Sequence, residues 1–266
     1  MENKEPNRYT QILEAIFTKH FKKGSTEIEF ERTEFSQVAD ELSIRLPKNL
    51  GDVLYSFRYR TPLPKSITSK APKGHEWIIR PTGKGKYKFV VVKQAIIAPS
   101  NILAETKIPD STPGVIAKYS MNDEQSLLAK LRYNRLIDIF TGLTCYSLQS
   151  HLRTTLRDGS QVETDEIYIG LDKRGAHFVL PVQAKGGRDK IGIVQIEQDL
   201  ELCARKFPRL ICRAIAAQFM EDNLIALFEF EQTNDGVRVS SEKHYRLVNP
   251  NELSPEELKS YSLRQS

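Results

Sequence analysis

Apolar positions recur at helical spacing near the start of the chain. Between Tyr9 and Phe21, Ile12, Leu13, Ile16 and Phe17 form one stripe, and Lys22-Lys23-Gly24 supplies a basic last turn and a stop. Thr26–Phe30 alternates as a short strand does. Phe35, Val38 and Leu42 then carry a second amphipathic helix, expected over Phe35–Leu46 and broken by Pro47. A third helix, Leu50–Tyr59, is expected to be capped by Asn49. It turns Leu50, Val53, Leu54 and Phe57 inward and leaves Lys48, Tyr55, Arg58 and Arg60 outside. Two β-rich runs, Glu76–Arg80 and Lys86–Lys93, flank the turn-forming stretch Pro81–Gly85.

Residues 95–121 contain Pro99, Pro109 and Pro113 and no clear period, the pattern of a linker. Beyond them one long helix, Asp123–Phe140, is expected, capped by Asn122 and ended at Gly142. Strand-like runs follow at Thr144–Thr155, Gln161–Leu171 and Ala176–Lys185, then a helix at Ile193–Phe207. Further strands are expected at Leu210–Phe219, Leu224–Phe230 and Val237–Val248, before a polar tail expected to fray. The order αβββαββ predicts an α/β domain around a mixed sheet. The expected organisation is therefore an amino-terminal module over residues 1–95, a linker over 96–121 and an α/β domain over 122–266.

Composition narrows the class of protein. Of the 266 residues 39% are hydrophobic and 27% charged, the balance of a globular chain rather than a disordered one. No apolar run approaches the roughly 18–20 residues that cross a bilayer, so no membrane association is expected. The first residues, MENKEPNRYTQ, lack the apolar core of a secretory signal. Three widely spaced cysteines suggest neither a disulfide framework nor a metal knuckle, and a reducing cytoplasmic setting is expected.

The net charge of +5 is strongly polarised. From Arg45 to Lys93 there are twelve Lys and Arg against two acids, Asp52 and Glu76, so this segment carries +10 and the remainder −5. Aromatic residues (Tyr55, Phe57, Tyr59, Tyr87) interleave with those cations, a pattern that favours nucleic acid over a merely solvated face. Helix, strand, helix, helix, basic hairpin is also the order of a winged helix-turn-helix. Such a module would place its third helix, with Lys48, Asn49, Tyr55, Arg58 and Arg60, in the major groove, and lay Lys84, Lys86 and Lys88 along phosphates. Gly83-Lys84-Gly85 lacks the strand–helix context of a nucleotide-binding loop.

The segment Gln161–Lys190 carries the chemistry. A three-residue loop, Lys173-Arg174-Gly175, with Gly175 left-handed, would make Asp172 face Ala176. Counting outward, Asp165 then faces Gln183 and Glu163 faces Lys185, all on one side of the hairpin, while Glu166 points to the other. Two acids, an amide and a lysine in otherwise apolar strands are costly to keep without use. Their oxygens suit Mg²⁺, and an ammonium beside that ion can stabilise the charge that develops as a phosphodiester is hydrolysed. The five histidines show no paired spacing, and no P-loop is present.

Asp165 followed by Gln183-Ala184-Lys185, on consecutive strands between two helices, resembles the PD-(D/E)xK nuclease superfamily. It is most similar to the Gln-x-Lys variant of Mrr-like and some Type II enzymes, over roughly residues 122–231. The resemblance implies a restriction-endonuclease-like core. In it Asp165 is a metal ligand, Gln183 stands at the second acid's position and Lys185 is the motif lysine. Thr164 replaces the usual proline, and Gln183 removes one negative charge. Glu163 is the first candidate to compensate as a catalytic and metal-binding acid, ahead of Glu124 and Asp138. Arg188 and Lys190, after the lysine, are candidates for backbone contact, as are Gln195 and Gln198 on the following helix.

The implied activity is Mg²⁺-dependent endonucleolytic cleavage of double-stranded DNA, with Mn²⁺ able to substitute. A Type II restriction enzyme acting as a homodimer in a bacterial or archaeal nucleoid, alongside a cognate methyltransferase, is the first expectation. A methylation-dependent endonuclease and a non-cleaving winged-helix regulator are the alternatives.

Overall fold

The structure is a computed structural model and describes residues 8–47, 50–59, 61–121, 124–156, 159, 161–186, 189–221, 223–234 and 236–264. It divides into two compact units. The first comprises Met1–Ile97 with Thr154–Val162 and Gly192–Gln195, and the second Ala98–Arg153, Glu163–Ile191 and Ile196–Ser266.

In the first unit, helix α1 (Arg8–His20) buries Ile12, Leu13, Ile16 and Phe17, the stripe its spacing predicts. Strand β1 (Glu27–Glu31) leads directly into α2 (Arg32–Glu41), whose capping box joins Glu31 and Glu34. That helix starts three residues before the expected span and ends at Glu41; Ser43, at φ 55°, turns the chain away. Helix α3 (Leu50–Tyr59) follows, then a single helical turn, α4 (Lys65–Thr68), whose Ile67 is fully buried and which no periodicity announced. Strands β2 (Glu76–Gly83) and β3 (Lys86–Val92) form a hairpin, and β1 completes a three-stranded antiparallel sheet in the order β1-β3-β2. Phe17, Phe30, Phe35, Trp77 and Phe89 anchor the core of this unit.

The second unit is built on a large mixed sheet, so the chain is α/β as expected. Strand β4 (Ile96–Ile97) precedes β5 (Glu105–Pro109), which pairs in parallel with a carboxy-terminal strand, Gly236–Val248. The 96–121 stretch is therefore not only a linker, since part of it extends the sheet. It continues through α5 (Gly114–Tyr119) to α6 (Glu124–Tyr133) and α7 (Leu136–Thr141).

The single long helix expected here is broken, with Arg135 in the left-handed region at φ 53°. Asn134 explains the break. It is buried, and its amide donates to Asp110, Thr112 and the Lys130 carbonyl while its oxygen accepts from the Ser111 N–H. Its N–H still closes a last α-turn on the Lys130 carbonyl, while its side chain ties that turn to residues 110–112, and the chain leaves the helix at the next residue.

Strands β6 (Thr144–Thr155), β7 (Gln161–Leu171) and β8 (His177–Lys185) follow, then β9 (Ile191–Gly192) and α8 (Ile193–Lys206). Next come β10 (Ile211–Cys212), β11 (Ala214–Phe219), β12 (Leu224–Thr233) and β13 (Gly236–Val248). The sheet order is β5-β13-β12-β11-β8-β7-β6, with β8 antiparallel to β7 and parallel to β11. Central position explains composition, because β8 is buried from Phe178 to Lys185. Leu127, Leu128 and Leu131 of α6 and Leu136 and Ile137 of α7 pack with Leu180, Val182, Ile215 and Leu227 of the sheet. The tail is helical over Pro255–Ser262 (α9) rather than frayed. A capping box between Ser254 and Glu257 starts that helix, and its Tyr261 hydroxyl accepts the Lys107 N–H. No described helix is long and apolar enough to cross a membrane.

The β7–β8 turn decides what the two strands bring together. Gly175 lies at φ +82°, its N–H donates to the Asp172 carbonyl, and Asp172 N donates to the Ala176 carbonyl. The Asp172 carboxylate accepts from the Ala176 and Arg174 N–H groups, which hold its pKa below the usual carboxylate range. The register runs from Leu171↔His177 to Glu166↔Val182, which is the pairing the turn chemistry predicts. A Cβ at Gly175 would meet nothing within 4 Å, so only the backbone resists substitution. Gly175→Ala is expected to cost about 1–2 kcal/mol, and Gly175→Asn less, read as midpoint shifts in urea unfolding.

Candidate active site

At the end of the hairpin away from its turn, the ladder runs as far as Glu166↔Val182. One residue further along, the Asp165 side chain takes over: its Oδ2 accepts the Ala184 N–H at 2.8 Å. Lys185 Nζ lies 3.8 Å from the same oxygen and 3.0 Å from Oε1 of Glu124, the first described residue of α6. Asp165 and Lys185 are both buried, at 7% and 8% exposure. Burial pushes the Asp165 carboxyl above its usual range, and Glu124 adds to this; Lys185 and the Ala184 N–H oppose it.

Gln183 is 1% exposed. Its Nε2 donates to Asp199 Oδ2 at 2.9 Å and to the Glu163 carbonyl at 3.1 Å. Its Oε1 is buried and has no hydrogen-bond partner among the described residues. The second oxygen of Asp199 accepts from Thr164 Oγ1 at 2.5 Å. Asp199 is wholly buried, and that burial pushes its pKa up to about 7 against the two hydrogen bonds that favour the ionised form. Asp165, Thr164, Gln183, Lys185, Glu124 and Asp199 thus converge from β7, β8, α6 and α8.

Glu163 is placed differently from expectation. Its carboxylate pairs with Arg153 Nη2 at 2.9 Å and lies 3.8 Å from His151 Nδ1, while its main-chain oxygen joins the site through Gln183. The carboxylate that pairs with Lys185 beside Asp165 belongs to Glu124, the weaker candidate from sequence. Asp138 instead accepts from Cys145 N and pairs with Arg135. His151 occupies the left-handed region at φ 49° and reaches Gln125 at 2.8 Å.

Asp199 is not among the residues expected from sequence, although its signal is present there. It lies three residues after Ile196 and four before Cys203, where the helical period reserves an apolar side chain. A carboxylate on that stripe must be buried and therefore partnered. Among the described residues no three His, Cys, Asp or Glu side chains cluster so as to hold a metal ion. Any cation here must draw on the amide oxygen and on water as well as on Asp165.

In the amino-terminal unit, Tyr55 is exposed and its ring lies 4.6 Å from that of Tyr59. Arg58, expected to face outward, is only half-exposed and stacks over the Tyr59 ring at 4.6 Å. Lys84 and Lys86 are exposed on the hairpin, Lys86 lying 3.9 Å from Glu31, whereas Lys88 is half-buried and paired with Glu27 at 2.8 Å. Lys190 is exposed. Lys48, Asn49, Arg60 and Arg188 lie outside the described residues.

Comparisons with protein-family models, curated proteins and solved structures find no match. The functional reading therefore rests on geometry and chemistry.

Proposed function

We propose that this chain is a Mg²⁺-dependent DNA endonuclease of the PD-(D/E)xK type in its Gln-x-Lys form, with an amino-terminal winged helix that binds the duplex. One observation carries the reading. The Gln183 amide oxygen is buried without a partner among the described residues, on a strand that also presents Lys185 against Asp165. A buried acceptor left unsatisfied costs about 1–3 kcal/mol, and a cation would remove that cost. Mg²⁺ prefers hard oxygens and keeps several waters, so a site with one carboxylate, one amide oxygen and few other protein ligands fits it.

On this reading Asp165 and Gln183 hold the ion. When bound, it supplies Lewis acidity to a phosphoryl oxygen and lowers the pKa of water. The N–H of Ala184 fixes the Asp165 carboxylate through Oδ2. On this reading the Lys185 ammonium donates to a non-bridging phosphate oxygen as negative charge builds on it, and exchanging the Glu124 partner for phosphate leaves the ammonium paired. The basic first unit supports a polyanionic substrate. Its order of helix, strand and two helices, then the short turn α4 and the hairpin, together with exposed Tyr55, Lys84 and Lys86, supports duplex recognition through the third helix and the hairpin. Cleavage of both strands within a short site would call for two copies of the chain.

The test uses supercoiled plasmid with the purified chain, in Mg²⁺ and in EDTA. Nicked or linear product only with Mg²⁺ is expected. Intact DNA together with tight, salt-sensitive binding would instead identify a non-cleaving regulator.

A further inference from the structure

We infer that Asp199 is a positioning residue that sets the orientation of the Gln183 carboxamide, and that the two positions act as a charge-exchanged pair. The second acid of the site has moved one layer back, onto α8. This rests on the metal-dependent reading above and deepens it.

A carboxamide can be turned over, exchanging its oxygen and nitrogen at little intrinsic cost, so a buried glutamine does not by itself present a defined atom. Here the choice is forced. Asp199 Oδ2 and the Glu163 carbonyl are both acceptors and lie 2.9 and 3.1 Å from Nε2. Turning the amide over would set Oε1 against two oxygens in a buried site. Asp199 is itself held from behind by Thr164, so both of its oxygens are committed as acceptors. The outcome is an amide whose nitrogen is doubly anchored and whose oxygen is left over.

The same geometry explains why residue 183 is not an acid. A glutamate there would place its carboxylate about 3 Å from the Asp199 carboxylate and from a carbonyl, with no donor between them. Thr164, which departs from the family's proline, supplies the hydroxyl that anchors Asp199.

The test measures Mn²⁺ binding to the full chain without DNA, by electron paramagnetic resonance of the free ion, and the Mg²⁺ needed for half-maximal plasmid cleavage. Asp199→Leu removes the acceptor and is expected to weaken Mn²⁺ binding about 10–100-fold, with the Mg²⁺ requirement raised in parallel. Asp199→Asn, whose oxygen can still accept from Gln183 Nε2, is expected to stay within about threefold of the wild type. Gln183→Glu should bind Mn²⁺ more weakly than the Gln183→Glu/Asp199→Asn double variant, by about tenfold or more.

Wild-type affinity in a folded Asp199→Leu protein would overturn the inference. So would Gln183→Glu binding as tightly as the double variant. If the leucine variant does not fold, the asparagine variant and the Gln183 pair still decide. A wild-type chain that binds Mn²⁺ and cuts DNA with no response to these changes refutes the positioning role alone. One that neither binds nor cuts refutes the metal site as well.

Discussion

Lys185→Ala is expected to lower Mg²⁺-dependent plasmid cleavage about 1,000-fold or more while leaving metal-free DNA binding within about threefold. The two halves of this result have separate causes. Lys185 Nζ lies 3.8 Å from Asp165, and its partner Glu124 is 37% exposed, so on the proposed reading phosphate takes the place of that partner and keeps the ammonium paired. Removing the ammonium leaves the negative charge of the transition state unmatched in a site where water cannot easily substitute. Apart from Arg188 and Lys190, the cations expected to hold the duplex lie in the other compact unit, which has its own core. Asp165→Asn should lose cleavage by a different route. Its amide would present either an oxygen or a nitrogen to the Ala184 N–H, and both its charge and its grip on a cation fall. High Mn²⁺ is therefore expected to recover part of the activity of Asp165→Asn and none of that of Lys185→Ala. Unaltered cutting by Lys185→Ala would remove this residue from the chemistry.

What the sequence disclosed here follows from where each constraint is stored. The β7–β8 register was legible because one glycine stores it. Gly175 at positive φ closes a three-residue loop on Asp172, and side-chain alternation carries the consequence back to Asp165 and Gln183. The helices α1, α3 and α8 were legible because each keeps one unbroken apolar stripe. The break at Arg135 was hidden because its cause, the bonds from Asn134 to residues 110–112, spans more than twenty positions. Strand β5 was hidden because pairing with β13 depends on a partner about 140 residues away. The same locality rule separates the site residues. Strand parity put Glu163 on the Lys185 side, but it could not foresee that Arg153 would draw the Glu163 carboxylate away, nor that α6 would bring Glu124 in. Periodicity could have flagged Asp199, because an acid on the buried stripe of a helix needs a partner from elsewhere.

Replacing Arg132 by Met is expected to destabilise the fold by about 3 kcal/mol, the largest loss of stability anticipated from a residue outside the site. Glu166, next to Asp165 but pointing the other way along β7, is fully buried. Arg132 Nε lies 3.0 and 3.1 Å from its two oxygens, and Ser147 Oγ donates to one of them at 2.5 Å. Taking the guanidinium away leaves a buried carboxyl inside the sheet without its cation, held by the Ser147 hydroxyl and beside the Tyr168 hydroxyl. The low end of the roughly 3–5 kcal/mol range for a broken buried pair is appropriate because Arg132 is itself 39% exposed, so water can enter where it stood. Arg132→Met/Glu166→Met should recover most of the loss, since a well-packed apolar pair can match a buried ion pair in stability. A double-mutant cycle on urea midpoints measures the difference. The two faces of β7 then separate experimentally. At temperatures where Arg132→Met remains folded, its cleavage per folded molecule should match the wild type, because Glu166 faces away from Asp165 and Lys185. A cleavage defect in that folded protein, or a double variant no more stable than the single, would show that the Glu166 pair supports the site rather than the sheet alone.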